Sequence, residues 1–204
     1  MNYFLIAVIS YLIGSIPFGL IIGRMVGGID VRAYGSKRTG ATNVLRTLGP
    51  RYGALVFILD AAKGLIAIFV AQQIMKGDYW ASALAAIVAV VGHIYPVFAG
   101  FKGGRGVATA MGGVLGIFPW AFAAAFVVWW SVVLVTRYVS LGSILSSIAT
   151  VITTGVFLAL GHGHMAAFLY CLAIAVIIIV SHGDNITRLR NGTESKFGQK
   201  ASVK

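Results

Sequence analysis

Two polar stretches in this chain of 204 residues carry the residue types that bind phosphate. The first is Gly35-Ser36-Lys37-Arg38-Thr39-Gly40-Ala41-Thr42-Asn43-Val44-Leu45-Arg46. Two glycines bracket a short turn, hydroxyls and an amide follow, and three cations fall within ten residues. The second is Phe101-Lys102-Gly103-Gly104-Arg105-Gly106, in which two cations alternate with three glycines. Glycine lets backbone N–H groups turn toward a ligand with no Cβ in the way, and basic side chains neutralise its charge, so both suit an anion. A solvated loop whose charges only set topology is the plainer reading of either stretch alone. Two such turns in one small chain favour the anion. The first is no Walker loop, because Ala41 stands where the lysine of that motif belongs.

Other chemistry-bearing residues lie inside or beside apolar runs. Asp60 and Lys63, three residues apart, share a helical face. Ionisable groups within a span are costly and face the bundle interior. A structural ion pair is the first reading of the two, and support of a site the second. His182 and Asn185 close the last apolar run at the same spacing and point the same way if a helix continues through Gly183. A capping or interfacial histidine is the bland alternative there. His162 and His164 form a His-x-His pair with no evident third ligand, so no metal is expected. The lone Cys171 sits in an apolar run, permits no disulfide within the chain and reads as packing.

The elements that must position these residues are membrane helices. Hydrophobic residues make up 59% of the chain and charged ones 10%, with mean hydropathy +0.92, more apolar surface than a soluble domain this size can bury. The expectation is an all-α polytopic membrane protein, residues 1–204 forming a single integral domain. The net charge of +11 would point to nucleic acid in a soluble chain. Here the cations fall between apolar runs and at the C-terminus, a positive-inside pattern, so no nucleic-acid partner is expected. The first run has no basic region before it and reads as a retained span.

Spans are expected over about residues 2–24, 53–75, 80–99, 119–136, 139–160 and 165–182, with a short element over about 107–117. Pro17 should kink the first, and Gly14, Gly19 and Gly23 should allow close helix packing. Pro119 should divide the apolar stretch 107–136, because the residue before a proline is pushed out of helical geometry. The short element reaches about 16 Å, roughly half the hydrocarbon core, and needs shielding by neighbours. Seven membrane helices, one of them short, put the N-terminus outside and the C-terminus in the cytoplasm. They place Lys37, Arg38, Arg46, Arg51, Lys102, Arg105, Arg137, Arg188, Arg190 and Lys196 on the cytoplasmic side. Six would strand the basic tail outside.

An ordered set of motifs carries a family resemblance. It runs from Gly14-Ser15-Ile16-Pro17-Phe18-Gly19 through the loop Gly35 to Arg46, Asp60-x2-Lys63-Gly64 and Gly92-His93-x2-Pro96. It continues with Lys102-Gly103-Gly104-Arg105-Gly106-Val107-Ala108-Thr109, Arg137-Tyr138-Val139-Ser140 and His182-x2-Asn185. The chain resembles the bacterial acyl-phosphate-dependent glycerol-3-phosphate acyltransferases over nearly its whole length. The resemblance implies an inner-membrane enzyme of seven helices. It would transfer an acyl group from acyl phosphate to the 1-hydroxyl of glycerol 3-phosphate, giving lysophosphatidic acid and phosphate, the first committed step of phospholipid synthesis. It implies no cofactor, a membrane-lipid setting, an active site facing the cytoplasm and a functional link to the enzyme that makes acyl phosphate. Two departures stand out. The family's Gly-Ser-Gly-Asn-x-Gly reads Gly35-Ser36-Lys37-Arg38-Thr39-Gly40, so roles of its third glycine and its asparagine do not carry over. The second lysine of Lys-Gly-Gly-Lys-Gly is Arg105, which keeps the cation with another geometry.

The chemistry suits the residues. A phosphate monoester carries about −1.5 to −2 charges at neutral pH, and Arg46, Lys102 and Arg105 complement two of them, helped by backbone at Gly40, Gly103 and Gly104. Acyl phosphate is an activated anhydride with a good leaving group, so positioning and oxyanion stabilisation matter most. Ser36, Thr42 and Asn43 would hydrogen-bond phosphate or the reacting carbonyl, and Ser36 lacks an evident base for a covalent role. His182 and Asn185 would orient the acceptor hydroxyl, with His182 able to act as base. Asp60, Lys63, His93 and Ser140 would support the site. A transporter for an anionic metabolite also fits buried charges and a broken helix, but predicts polar residues along several helices rather than at one face. A structural membrane subunit leaves the polar clusters unexplained.

Overall fold

The structure, a computed structural model, describes residues 1–201. It is all-helical, with no strand among the described residues. In order come α1 (Asn2–Gly14), α2 (Phe18–Gly27), a 3-10 turn (Val31–Ala33), α3 (Ala41–Leu48), α4 (Pro50–Ile74) and α5 (Tyr79–Ile94). A second 3-10 turn (Val97–Ala99) is followed by α6 (Val107–Ile117), α7 (Pro119–Thr136), α8 (Val139–Ala159), α9 (Met165–Ser181) and α10 (Gly183–Arg190).

Five segments among the described residues are long and apolar enough to cross a membrane: Asn2–Gly27, α4, Tyr79–Ala99, α7 and α8. A sixth is reached if α9 and α10, bent by 59° at their junction, count together. Large apolar side chains such as Phe4, Ile58, Phe69, Trp120, Leu134 and Val180 face outward, as lipid-facing residues do. This is an integral membrane protein. The break expected at Pro119 is present, with α6 ending at Ile117 and Pro119 opening α7. The kink expected at Pro17 separates α1 from α2.

The chain falls into two compact units. One comprises Met1–Gly113 with the segment from Gly198, the other Val114–Phe197. In the first unit, Ile6 of α1, Ala67 and Ala71 of α4, and Ala81, Ala85 and Ala89 of α5 form a fully buried cluster. Alanines let these three helices approach closely, and a Cβ at Gly14 would run into the Ala89 backbone. A second cluster, Ile22, Val31, Val44 and Val56, ties α2, the first 3-10 turn, α3 and α4 together. It pins the polar loop to the helices.

The loop is more ordered than its polarity foretold. α3 occupies what the sequence reads as irregular chain, and α4 begins at Pro50, not at 53, since proline suits the first helical position. In the second unit, α8 buries a stripe of small hydroxyl residues, Ser143, Ser146, Ser147, Thr150 and Thr154. Their hydroxyls donate back to carbonyls three or four residues earlier, so none is left bare in an apolar setting. Cys171 is buried there with Tyr170 and Ile174, as packing requires.

Candidate functional site

In the first unit, Asn43 organises the glycine-rich loop. It is 1% exposed and projects from α3 into the turn before it. Its side-chain amide donates to the carbonyls of Val31 (2.8 Å), Arg38 (2.9 Å) and Tyr34 (3.2 Å). Its Oδ1 accepts the backbone N–H of Ser36 at 2.9 Å. Every hydrogen-bonding group of the side chain is thus engaged by the loop. Gly35, at φ +55, presses so closely on Asn43 that a Cβ would collide with Oδ1.

Around this hub, Ser36, Thr42 and Arg46 are half-buried. Gly40 is the extended N-cap of α3, so the helix opens beneath the loop with its first N–H groups lacking intrahelical acceptors. The Arg46 carbonyl accepts from the N–H of Ala201, which brings the described end of the chain to the same loop.

A second cluster lies among α4, α5 and the α1–α2 break. Asp60 and Lys63 form the anticipated pair at 2.9 Å, each 2% exposed at the side chain. The Lys63 ammonium also donates to the carbonyls of Gly14 and Ile16, each at 3.0 Å, and Nδ1 of His93 lies 3.0 Å from it. The carbonyls at the break have lost their helical partners, and the lysine replaces them. His93 Nδ1 also lies 3.5 Å from Asp60 Oδ1, so the imidazole closes the cluster between the two charges. Removing one member of such a buried pair costs about 3–5 kcal/mol, because the other charge is stranded.

His93 connects this cluster to the second glycine turn. A Cβ on Gly104 would strike the imidazole at Nε2, and the N–H groups of Gly103 and Gly104 donate to the carbonyls of Ile94 and His93. Close packing on His93 is therefore what requires glycine here, and these two N–H groups are spent on the chain itself. The expected help from this backbone in holding phosphate is not how the structure uses it. The turn instead sets the positions of the flanking Lys102, exposed, and Arg105, half-buried.

In the second unit, the network centres on a residue that the sequence reading passed over. Glu194 is 8% exposed. Its carboxylate accepts from Ser140 Oγ (2.8 Å), Asn185 Nδ2 (2.6 Å) and Arg188 Nε (2.7 Å). Burial works to raise its pKa, but the hydrogen bonds from Asn185, Ser140 and Arg188 outweigh it and hold the carboxyl below its ordinary range. One signal was available: the chain has five carboxylates, and this one sits in an otherwise basic tail.

His182 and Asn185 differ from expectation in one respect. The helix does not continue through Gly183: His182 caps the end of α9 and opens α10, and the axis turns by 59°. The apolar run ends at Val180, and a polar helix starting at glycine has no reason to stay on the same axis. Both side chains are nevertheless buried, at 2% and 3% exposure. His182 Nδ1 lies 2.8 Å from the Ile178 carbonyl, which only accepts. In the neutral imidazole this puts the proton on Nδ1 and the lone pair on Nε2, the form a base or acceptor needs. Asn185 Oδ1 is buried with no hydrogen-bond partner among the described residues. An acceptor oriented by Glu194 and left open is suited to a substrate hydroxyl. His162 and His164 are exposed in the α8–α9 turn, and no group of three His, Cys, Asp or Glu among the described residues could hold a metal.

The profile of one protein family, glycerol-3-phosphate acyltransferase, matches residues 4–192. A glycerol-3-phosphate acyltransferase of Geobacter sulfurreducens is 42% identical over 197 residues, 97% of this chain and 98% of that one. Its counterpart in Aquifex aeolicus is 41% identical, with 97% and 100% covered. Among solved structures, the glycerol 3-phosphate form of PlsY (YgiH), an integral membrane glycerol 3-phosphate acyltransferase, is similar with a TM-score of 0.88. It is 40% identical, with 97% of this chain and 96% of that one covered. The lysophosphatidic acid form of PlsY gives 0.86 at 39% identity, with 98% and 97% covered.

Proposed function

The chain belongs to the glycerol-3-phosphate acyltransferase family, and from that premise we propose that it acylates the 1-hydroxyl of glycerol 3-phosphate with acyl phosphate as donor. The products are lysophosphatidic acid and inorganic phosphate, in the first committed step of phospholipid synthesis. The acceptor and product are those named for the related PlsY structures. Seven membrane helices within one acyltransferase domain, an outside N-terminus and an active site facing the bacterial cytoplasm complete the reading. The excess of cations in the loops supports it.

The observation that carries the mechanism is the open acceptor on Asn185, held by Glu194. In the reaction the glycerol hydroxyl oxygen attacks the acyl carbonyl carbon, the carbon–oxygen bond to phosphate breaks, and phosphate departs. Asn185 Oδ1 and His182 Nε2 accept the hydroxyl hydrogen bond and fix its direction. The proton leaves through His182 or directly to the departing phosphate. Ser36, Thr42 and Arg46 on the first loop, with Lys102 and Arg105 on the second, stabilise phosphate and developing oxyanion charge. Asn43, whose groups are engaged by the loop, acts by shaping it. Asp60, Lys63 and His93 hold the second glycine turn, and Ser140 supports Glu194. No cofactor is needed, and acyl phosphate ties the protein to the enzyme that makes it.

Kinetics of point variants test these roles. Arg46→Ala removes a two-pronged cation, and charge-assisted hydrogen bonds of about 1.5–3 kcal/mol each imply a loss of roughly ten- to a hundredfold or more in kcat/KM. Arg46→Lys recovers only part of it. His182→Ala lowers kcat, because directing the hydroxyl matters most as the bond forms. His162→Ala does neither. Loss of transfer in His162→Ala with the other two intact would overturn the assignment.

A further inference from the structure

The first unit contains a cavity of about 880 Å³ that the proposed reaction leaves unexplained. Of the residues assigned to phosphate, Lys102 and Gly103 line it, whereas Ser36, Thr42, Arg46 and Arg105 are not in its wall. Five cations, Arg24, Arg32, Lys37, Arg38 and Lys102, surround it with a single carboxylate, Asp30. That carboxylate is committed: Arg32 grips it through Nη2 at 2.7 Å and Nε at 3.0 Å, and holds the Ala99 carbonyl with Nη1 at 2.9 Å. No ion pair among the described residues engages Arg24, Lys37 or Lys102, and all three are exposed. The wall is built to receive negative charge.

The rest of the lining is apolar and aromatic. Leu20, Ile94, Tyr95, Phe98 and Phe101 contribute, and the three aromatics are 57–60% exposed. The cavity also sits where two candidate spans end, since Arg24 lies in the last turn of α2 and Phe98 in the turn that closes Tyr79–Ala99. Aromatic rings and cations at span ends mark the headgroup layer of a bilayer. Two lining residues, Lys37 at φ +57 and Phe101 at φ +60, hold left-handed backbone that side-chain-bearing residues disfavour. Each closes a turn, Lys37 N–H donating to the Tyr34 carbonyl and Phe101 N–H to that of Pro96, which fixes the two side chains in the wall.

We propose that this cavity binds the phosphate headgroup of an anionic membrane phospholipid, with Arg24, Lys37 and Arg38 around the phosphate and Tyr95, Phe98 and Phe101 against the glycerol and upper acyl chain. A free phosphate would use the cations alone. The aromatic wall makes the amphiphile the better occupant, and its volume falls in the range of small-molecule sites, about 300–1,000 Å³. Arg24, Lys37 and Arg38 are not among the residues assigned to acyl transfer, Lys102 borders both sites, and the cavity ties the protein to lipid of one charge.

Calorimetric titration of the purified, detergent-solubilised protein tests this, with dihexanoyl phosphatidylglycerol, dihexanoyl phosphatidylcholine, inorganic phosphate and glycerol 3-phosphate as separate titrants. The expected result is saturable binding of phosphatidylglycerol, none of phosphatidylcholine, and binding of inorganic phosphate at least tenfold weaker. Lys37→Gly and Arg24→Gln should each weaken phosphatidylglycerol by about five- to tenfold, the worth of one cation beside a lipid phosphate. Lys37→Gly relieves the left-handed backbone, so it folds at least as well as the parent. Both variants should keep the parent's acyl-transfer rate in detergent without added lipid. Equal affinity for phosphate and phosphatidylglycerol would reduce the cavity to a free-anion site. Undiminished lipid binding in both variants would place the lipid elsewhere. Displacement of the lipid by glycerol 3-phosphate would make the cavity part of the substrate path. Each of these three results overturns the proposal.

Discussion

Asn43→Asp isolates the device that shapes the first phosphate loop. The change is nearly isosteric, keeps an acceptor toward the Ser36 N–H and removes both amide protons. It leaves a carboxylate facing the carbonyls of Val31, Tyr34 and Arg38, which lie 2.8–3.2 Å from the nitrogen in the parent. Two buried donor hydrogens that reach three carbonyls are lost, and each donor's loss costs about 1–3 kcal/mol. The closed loop should therefore lose about 2–6 kcal/mol relative to open forms. At about 1.4 kcal/mol per factor of ten, the low end lowers kcat/KM by roughly 30-fold, and the high end abolishes measurable transfer. Hydrogen exchange read by mass spectrometry should show faster exchange across residues 31–44 and parental exchange in α7, α8 and α9. Ser36→Ala is the control: the bond to Asn43 uses the backbone N–H, so exchange in the loop stays parental even where activity falls. A folded Asn43→Asp protein with parental exchange in 31–44 and full activity would refute the reasoning.

Other predictions follow from the charges and the spans. Because the hydrogen-bonded Glu194 carboxyl sits below its ordinary pKa of 4.5, its contribution to stability is fully present above that value and is lost as pH falls through the lower folded one. Thermal melts from pH 7 to pH 3 should show this acid limb, and Glu194→Gln should lower Tm by a few degrees at pH 7 and flatten the limb; an unchanged limb would mean that another carboxylate produces it. For topology, an impermeant maleimide applied to intact cells should label His162→Cys and should reach Lys200→Cys only after permeabilisation. Outside labelling at position 200 would rule out seven spans.

What could be read from the sequence was what local chemistry dictates. Pro17 and Pro119 act on their own neighbours, so both helix breaks were visible in advance. Asp60 and Lys63 share a face by helical spacing alone, and they pair. The rest depends on partners distant in the chain. α3 escaped notice because it is eight residues long and evenly mixed between polar and apolar, and its single buried face shows only once Val44 meets Ile22, Val31 and Val56. The glycines at 103 and 104 looked like a phosphate cradle, since nothing local reveals His93 beneath them. Asn43 was recognised as polar and near the site, but its acceptors lie five to twelve residues back in the loop. Glu194 draws together Ser140, Asn185 and Arg188, a convergence set by tertiary packing, whereas the bend at His182 had a local sign in Gly183 and the end of the apolar run, which the spacing of His182 and Asn185 does not register.

The choice of donor tests the central claim most directly. The purified protein in detergent is given labelled glycerol 3-phosphate with either acyl phosphate or acyl-CoA of the same chain length, and labelled lysophosphatidic acid and released phosphate are measured. The account predicts product from acyl phosphate, one phosphate released per acyl group transferred, and little or none from acyl-CoA. Comparable turnover with acyl-CoA, or no product from acyl phosphate in a folded preparation, would contradict it.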